Sequence, residues 1–497
     1  MGKLKKILVA NRGEIAIRVM RSAREMGIKT VAIYSEADRG APHVRYADQA
    51  VLVGPAQSED SYLKGDKIIE VAKNLKADAI HPGYGFLSEN ASFAKVVSKA
   101  GLIFIGPSPE AIDIMGSKLK ARKAVSKYDI PLIPGTEKEI KSLSTAKKKA
   151  KEIGYPLLIK ASAGGGGKGT RVVETPDQFE EQMNRAVSEA ESSFGDGAVF
   201  IEKLVINPKH IEIQVLGDTH GNIIHLFERE CSIQRRFQKV VEEAPSPVMT
   251  EEIREAMGAA AIKVAKACNY YGAGTVEFIA DEDLNFYFLE MNTRLQVEHP
   301  TTEAITGVDL VKEQIRIAEG AKLSIRQEDL RIQGHAIELR VYAEDPENGF
   351  LPDTGRLAIY QPPKGPGIRV DDGYEQDMAI PIYYDPMIAK LICYGRDRED
   401  ARKKMIRALE EYQISGVATT IDFGKMLMVH PIFIKGTFDT NFIKNHYRPE
   451  ENSKASHAEE KIAALFAANY WHGLKASNSE NLTAKQASSK WRSRLKE

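Results

Sequence analysis

Short apolar runs alternate with helical stripes through the first hundred residues. Residues 6–10 (KILVA) and 30–34 (TVAIY) are compact, β-branched runs, and residues 14–26 between them carry apolar side chains at helical spacing. Residues 61–75 repeat the stripe with Ile68, Ile69, Val71 and Ala72, and 77–81 is apolar again. This alternation predicts a parallel sheet with crossover helices. The first strand–helix turn, at 10–14, holds one glycine, Gly13, where a dinucleotide-binding turn needs three. NAD or FAD at that turn is therefore excluded.

Further on, helices are expected at 119–127 and 145–153, and strands at 155–160 and 171–173. Thr175, Pro176 and Asp177 have the character of a helix start. Strand-like runs follow at 198–201, 210–216 and 223–228, then a long helix at 251–268 and two strands at 274–280 and 285–292. Beyond about residue 328 the pattern turns to short strands and Pro/Gly turns, with a helix at 400–412. Past residue 447 one amphipathic helix (458–474) stands in polar, basic sequence.

A chain of 497 residues exceeds one hydrophobic core, and the prior is about three domains. With 69 basic and 69 acidic residues it has no net positive field, which argues against a general nucleic-acid binder. The three cysteines, Cys231, Cys268 and Cys393, are far apart, so neither a disulfide framework nor a zinc site is expected. No apolar run approaches the roughly 18 residues of a membrane span. The apolar stretch at 7–10 is too short for a signal peptide, and Lys6 stands where myristoylation needs a hydroxyl. A cytoplasmic protein is the expectation.

Three features carry chemistry. Residues 161–170 (ASAGGGGKGT) form a glycine run that matches G-x-G-x-x-G trivially and lacks the Walker hydroxyl after Lys168. The run joins strand to strand, so it is expected to fold over phosphates with its backbone N–H groups; Lys160 and Lys168 reinforce a polyphosphate reading. Next, the short connection between strands 275–280 and 286–291 sets Glu277 and Glu290 nearly opposite, with Asn292 on the same face. Facing carboxylates with an amide oxygen favour Mg²⁺ or Mn²⁺ over zinc. Finally, if residues 292–298 are extended, Asn292, Arg294, Gln296 and Glu298 face one way. An arginine beside an amide and a carboxylate can then hold a small planar oxyanion, with a base in reach.

The motifs NRGEIA (11–16), HPGYGFLSEN (81–90), the 160–169 loop, KHIEIQV (209–215), QRRFQKVVEEAP (234–245), EMNTRLQVEHP (290–300) and ELRVYAED (338–345) occur in this order. The chain resembles biotin carboxylase, an ATP-grasp enzyme, over residues 1 to about 447. The resemblance implies a multidomain α/β fold: a parallel α/β domain at 1–115, an ATP-grasp domain at 116–330 with a mobile glycine-rich lid (about 132–205), and a mainly β C-terminal domain at 331–447. Residues 448–497 would form a tail. It also implies nucleotide contacts at Lys118, Lys160, Gly166, Gly167, Lys168, Glu202, Lys203, Val205, His210, Gln234 and Lys239. Metal ligands would be Glu277, Glu290 and Asn292; the bicarbonate pocket Lys239, Arg294, Gln296, Val297 and Glu298; and the biotin contacts Tyr84 and Arg340. Phe237 stands where the family pattern has histidine, so it is left out of the site.

The implied reaction is ATP-dependent carboxylation of biotin by bicarbonate through carboxyphosphate, with ATP, two Mg²⁺ or Mn²⁺ ions, and catalysis by Arg294, Glu298, Lys239 and Arg340. Another ATP-grasp ligase would share the metal hairpin without needing the 294–298 run and Arg340. A non-catalytic nucleotide-binding module has no evident use for these clustered charges. A homodimer is implied by Arg18, Arg21, Glu25 and Arg369. The chain has no Ala-Met-Lys-Met carrier signature, so biotin is expected on a separate carrier protein, alongside a carboxyltransferase subunit. Neither nucleic acid nor membrane is an expected partner.

Overall fold

A computed structural model describes residues 3–136, 139–140, 142–161, 170–194, 197–449 and 461–470. The chain divides into two units, 1–446 and 447–497. In the second, residues 461–470 form a helix whose Ile462, Leu465, Phe466 and Tyr470 are exposed; the rest of the expected 458–474 helix lies outside the described residues.

The first unit begins with strands β1 (Lys6–Val9), β2 (Lys29–Ser35), β3 (Gln49–Gly54), β4 (Ala79–His81) and β5 (Ile103–Phe104). They form one parallel sheet in the order β3-β2-β1-β4-β5. Parallel strands are covered on both faces by their crossover helices, which is why β1 and β2 read as continuous apolar runs. Helix Gly13–Glu25 buries Ile15, Ala16, Val19, Met20 and Ala23 at helical spacing. Helix Gly65–Asn74 buries Ile68, Ile69, Val71 and Ala72. Asn90 and Ser108 cap the helices that follow by accepting from Phe93 N and Ala111 N.

A small antiparallel sheet, β7-β6-β8, comes next: β6 (Leu157–Ala161), β7 (Thr170–Val173) and β8 (Val199–Lys203). Lys160 pairs with Thr170, so the glycine run does connect one strand to its antiparallel neighbour. Thr175, Pro176 and Asp177 open a 3₁₀ turn that leads into helix Phe179–Phe194.

The large sheet has eight strands in the order β13-β12-β9-β10-β11-β14-β19-β18, all antiparallel pairs. Its members are β9 (Lys209–Gly217), β10 (Ile223–Arg235), β11 (Gln238–Ala244), β12 (Gly272–Ala280), β13 (Phe286–Asn292), β14 (His335–Tyr342), β18 (Ile368–Asp372) and β19 (Met387–Gly395). It passes without a break from strands before residue 330 to strands after it, through the β11–β14 ladder. Four short strands complete the C-terminal part: β15 (Glu344–Asp345), β16 (Leu351–Pro352), β17 (Ile359–Gln361) and β20 (Gln413–Ser415). Helix Glu251–Ala267 packs on β9 and β10, and helix Arg398–Glu411 on β14 and β19. Among the described residues no helix is long and apolar enough to cross a membrane.

Candidate active site

The ladder registers of the large sheet line up charged residues across four adjacent strands. Arg229 on β10 pairs with Glu212 on β9, Glu212 with Glu277 on β12, and Glu277 with Glu290 on β13. Neighbouring strands are about 4.8 Å apart, so the row is a strip of one cation and three carboxylates on a mostly apolar framework. The carboxylates expected to face each other do.

Arg229 anchors the strip. Its side chain is fully buried, and all five guanidinium N–H groups have acceptors. Nε donates to Glu212 (2.5 Å), Nη1 to Gln214 and Thr302 (2.8 Å each), and Nη2 to Thr275 (3.1 Å) and Gln296 (2.6 Å). Holding the Gln296 carbonyl turns its amide outward, where Nε2 donates to Glu277 at 2.8 Å.

Lys239 on β11 stands at the centre. Its ammonium donates to Glu212 (2.5 Å), Glu277 (2.9 Å) and Glu298 (2.7 Å). Burial pulls this ammonium toward neutrality, but the three carboxylates outweigh it and hold its pKa well above the usual lysine value. Burial raises Glu277 and Glu298 in turn; Lys239 with His210, and Lys239 with Arg340, override it and keep both well below the usual carboxylate range. His210 Nε2 lies 2.9 Å from Glu277, and Gln234 Nε2 lies 2.6 Å from His210 Nδ1. The charge of Glu277 lifts the His210 imidazole despite its burial.

Glu290 behaves differently. Burial and the facing Glu277 both push it up. Its carboxylate, Glu277 and the Asn292 carboxamide offer hard oxygen donors, the set a Mg²⁺ or Mn²⁺ ion prefers, so these residues fit such an ion. Two other groupings, His210–Glu212–Glu277 and Glu212–Cys231–Glu298, bring possible ligand atoms together. In both, Lys239 already neutralises the carboxylates from their centre, and Arg229 holds Glu212 as well. A cation fits the Glu290 side better.

The 292–298 segment differs from the expected extended strand. Ladder pairing ends at Asn292, and the chain turns so that Glu298 precedes helix His299–Thr306, with Pro300 at its start. Proline near a helix N-terminus is pre-set for the helix, which stops the strand. The side chains converge all the same: Glu298 lies between Lys239 and Arg340, whose Nη2 donates to it at 3.0 Å. Arg294 donates from Nε to Glu89 (2.8 Å) and from Nη2 to Asn292 Oδ1 (2.8 Å), with the charges of Glu298 and Glu277 also acting on it. The Val297 carbonyl accepts from the buried Lys390 ammonium at 2.8 Å.

Arg340 on β14 also donates to Glu242 at 2.6 Å, while Glu344 is held by Arg235. The Tyr84 hydroxyl donates to Glu14, which also faces Lys390 at 3.3 Å. Asn11 Nδ2 fixes the Tyr84 loop by donating to the carbonyls of Pro82 (2.8 Å) and Tyr84 (2.7 Å). Gly83 in that loop has φ +64°, and a Cβ there would stand 2.9 Å from Asn11 Nδ2, so only glycine lets the two motifs meet.

On the small sheet, Lys160 donates to Glu202 at 2.6 Å, and Arg122 also pairs with Glu202. Burial raises Glu202, but Lys160, Arg122 and Lys118 outweigh it. Lys118 is exposed at the start of helix Lys118–Val125, and its charge acts on both Glu202 and Glu290. Lys203 donates to the Tyr155 carbonyl at 2.8 Å, and Val205 is half-buried just beyond β8. Gly166, Gly167 and Lys168 lie outside the described residues. Phe237 is exposed in the β10–β11 turn at φ +66°.

Arg18, Arg21, Glu25 and Arg369 belong to one intramolecular network. Arg18 and Arg369 share Glu303 (2.6 and 2.9 Å), Arg21 lies 3.7 Å from Asp371, and Glu25 2.5 Å from Lys312. The three cysteines are buried and unpaired. Arg229, Glu212, Glu242, Glu14, Glu89, Glu338 and Lys390 escaped the sequence reading. Glu212 alternates with His210 and Gln214 along β9, and that spacing was the one local signal for it.

Comparison with known proteins agrees with this architecture. Residues 3–112 match the family model "Biotin carboxylase, N-terminal domain" and residues 338–445 "Biotin carboxylase C-terminal domain". Residues 117–326 match "Carbamoyl-phosphate synthase L chain, ATP binding domain". Biotin carboxylase 1 of Bacillus subtilis is 51% identical over 444 residues, covering 89% of this chain and 99% of that protein. The mitochondrial methylcrotonoyl-CoA carboxylase subunit alpha of Dictyostelium discoideum is 51% identical over 459 residues, 92% of this chain but 66% of the relative. The biotin carboxylase domain dimer of Hydrogenobacter thermophilus 2-oxoglutarate carboxylase, solved with MgADP, ADP and bicarbonate, superposes with a TM-score of 0.86 at 49% identity, over 92% of this chain and 100% of that one. On the motifs, the fold and an identity of about half over nearly its whole length, this chain belongs to the biotin carboxylase family.

Proposed function

We propose that the chain catalyses the ATP-dependent carboxylation of biotin by bicarbonate, the first half-reaction of a biotin-dependent carboxylase. The observation that carries this reading is Glu298, ionised between Lys239 and Arg340 and next to the facing pair Glu277 and Glu290. A carboxylate base, two cations for an oxyanion and a divalent-ion pair thus adjoin one another. The related 2-oxoglutarate carboxylase domain, solved with MgADP and bicarbonate, supports the same substrates here.

In this mechanism Lys118, Lys160, Glu202, Lys203, Val205, His210 and Gln234 bind the nucleotide, with Gly166, Gly167 and Lys168 over its phosphates. Glu277, Glu290 and Asn292 hold divalent ions, which neutralise phosphate charge when bound. Arg294, Gln296, Val297 and Lys239 seat bicarbonate. Glu298 takes the bicarbonate proton; the freed oxygen attacks the γ-phosphorus and the β–γ bridge bond breaks, giving ADP and carboxyphosphate. Lys239 stabilises the charge that develops. Carboxyphosphate splits into CO₂ and phosphate, and phosphate removes the N1 proton of biotin. Arg340, with Tyr84 beside it, stabilises the ureido oxyanion while N1 bonds to CO₂. Closure of the 132–205 region keeps water from both labile species.

We place the domain boundaries at about 115 and 330, with the tail from 448, and the biotin on a separate carrier protein. Dimerisation is supported by the dimeric relative, and we place its interface at the Arg18–Arg369 region. The decisive assay asks whether ATP cleavage requires both bicarbonate and free biotin. Cleavage without either would overturn the reading, and labelling of this chain by a biotin ligase would overturn the separate carrier. Arg340→Ala should leave ATP affinity intact and lower biotin carboxylation roughly a hundredfold; loss of ATP binding would reassign Arg340 to a structural role.

A further inference from the structure

Behind Arg340 lies a second pair of facing carboxylates. Glu242 on β11 pairs directly with Glu338 on β14, and both side chains are wholly buried. Arg340, two residues along β14 and on the same face as Glu338, donates to one Glu242 oxygen at 2.6 Å. The remaining Glu242 oxygen and both Glu338 oxygens have no hydrogen-bond donor. Three buried acceptors without a donor are costly. One proton placed between the carboxyls joins two of these three oxygens and removes one of two facing buried charges.

We propose that Glu242 and Glu338 share a single proton and together act as positioning residues for Arg340. The surrounding charges agree. β19 brings Lys390, opposite Arg340; β11 brings Lys239; the turn before helix His299–Thr306 brings Glu298. That helix, packed on β14, carries His299, which burial and nearby cations keep neutral, and Glu303, committed to Arg18 and Arg369. Burial lifts the Glu242 carboxyl to about 7 and Glu338 well above the usual range, in each case against the pull of nearby cations. Two like carboxylates facing each other across adjacent strands titrate as one unit.

The consequence is chemical. With one proton the pair carries one negative charge, and Glu242 fixes the Arg340 guanidinium while the other end holds Glu298. Loss of the proton would place a second negative charge behind Arg340 and draw it away from its forward partner. The state of the pair thus sets how much of the Arg340 charge reaches the site in front of it.

Infrared difference spectroscopy of the full chain, without nucleotide or biotin, reads the shared proton as the carbonyl band of a protonated carboxyl. Glu338→Gln and Glu242→Gln should each remove the same single band, and the double variant no more. The loss of no band on either substitution overturns the proposal, and so does the loss of a separate band in each. The kinetic arm rests on the biotin reading of Arg340: Glu338→Gln, whose amide donates permanently to Glu242, should flatten the pH profile of kcat/KM for free biotin. It should hold that value near the one the unsubstituted chain shows with its pair singly protonated, while KM for ATP stays unchanged. A pH profile identical to that of the unsubstituted chain overturns the positioning role. Because the infrared arm involves no substrate, it stands or falls independently of the function proposed above.

Discussion

The two sheets that carry site residues treat charge in opposite ways. On the small sheet, Lys160 is about a quarter exposed where it meets Glu202, and nearby pairs such as Lys147–Glu180 stand more than half in water. On the large sheet, Arg229 and Glu212 are wholly buried, and Glu277 and Glu298 nearly so. Water can solvate Lys160, Lys147 and Glu180 whatever their partners do. The second group is stable only because each charge meets its complement, down to the fifth donor of Arg229. The large sheet is therefore a preorganised electrostatic field, and the small sheet a set of cations that a polyanion can recruit.

The sharpest way to break this contrast is Arg229→Met. It leaves Glu212 buried with only Lys239 and strips Gln296 of its orienting partner. Losing one member of a buried pair costs about 3–5 kcal/mol, read as a lower urea midpoint. A loss below about 1 kcal/mol would mean that the strip is not held by its ion pairs. Glu290→Gln comes next. It should lower ATP cleavage about 10²–10³-fold with no loss of stability, because Glu290 is the one carboxylate of the row whose ionisation is opposed by its neighbour. Unchanged turnover at limiting Mg²⁺ would refute the metal assignment.

Much of this site was legible because local periodicity and short connections are local facts. The 281–285 connection fixed Glu277 against Glu290, and apolar alternation gave the parallel N-terminal sheet. Where burial of charge begins, the same rules fail. The strand run expected at 223–228 extends to Arg235; its second half carries the polar residues Arg229, Glu230 and Gln234, which break the apolar run. Partners of Arg229 and Arg235 lie 15 to 109 residues away, and no window of sequence encodes such pairings. The joining of β14, β18 and β19 to the large sheet escaped for the same reason. Arg294 meets Asn292 with one end of its guanidinium, while Glu89, from a distant motif, takes its Nε, a contact no local pattern signals.

Acid should separate buried groups by their sign. His43 and His81 are buried, and burial lowers both to about 4. An unfolded histidine takes up its proton near pH 6.5, so between about 6.5 and 4 the unfolded chain binds more protons and stability falls with pH. Glu277 and Glu298 are held low in the folded state. Their contribution is complete above the unfolded value of about 4.5 and is lost as pH falls toward their folded values. The urea midpoint should thus decline in two limbs, and replacing His43 and His81 by Gln should reduce the upper one, to which buried His299 and His225 also contribute. A midpoint flat from pH 7 to 5 would contradict this.

The smallest effect belongs to the exposed side of the contrast. Lys147 and Glu180 are 2.7 Å apart and join helix Leu143–Ile153 to helix Phe179–Phe194. Both side chains are more than half exposed, so each is hydrated when the partner is removed, and holding two long side chains together offsets much of the attraction. Glu180→Gln should therefore change stability by about 0–1 kcal/mol. Whatever it costs should vanish in 1 M salt, where charges are screened beyond about 3 Å. The Arg229→Met loss should persist there, since salt does not enter a fully buried strip. Measured side by side at low and high salt, the two substitutions test one idea: burial, and not the number of ion pairs, decides which charges hold this protein together. A salt-resistant loss of several kcal/mol at Glu180 would refute it.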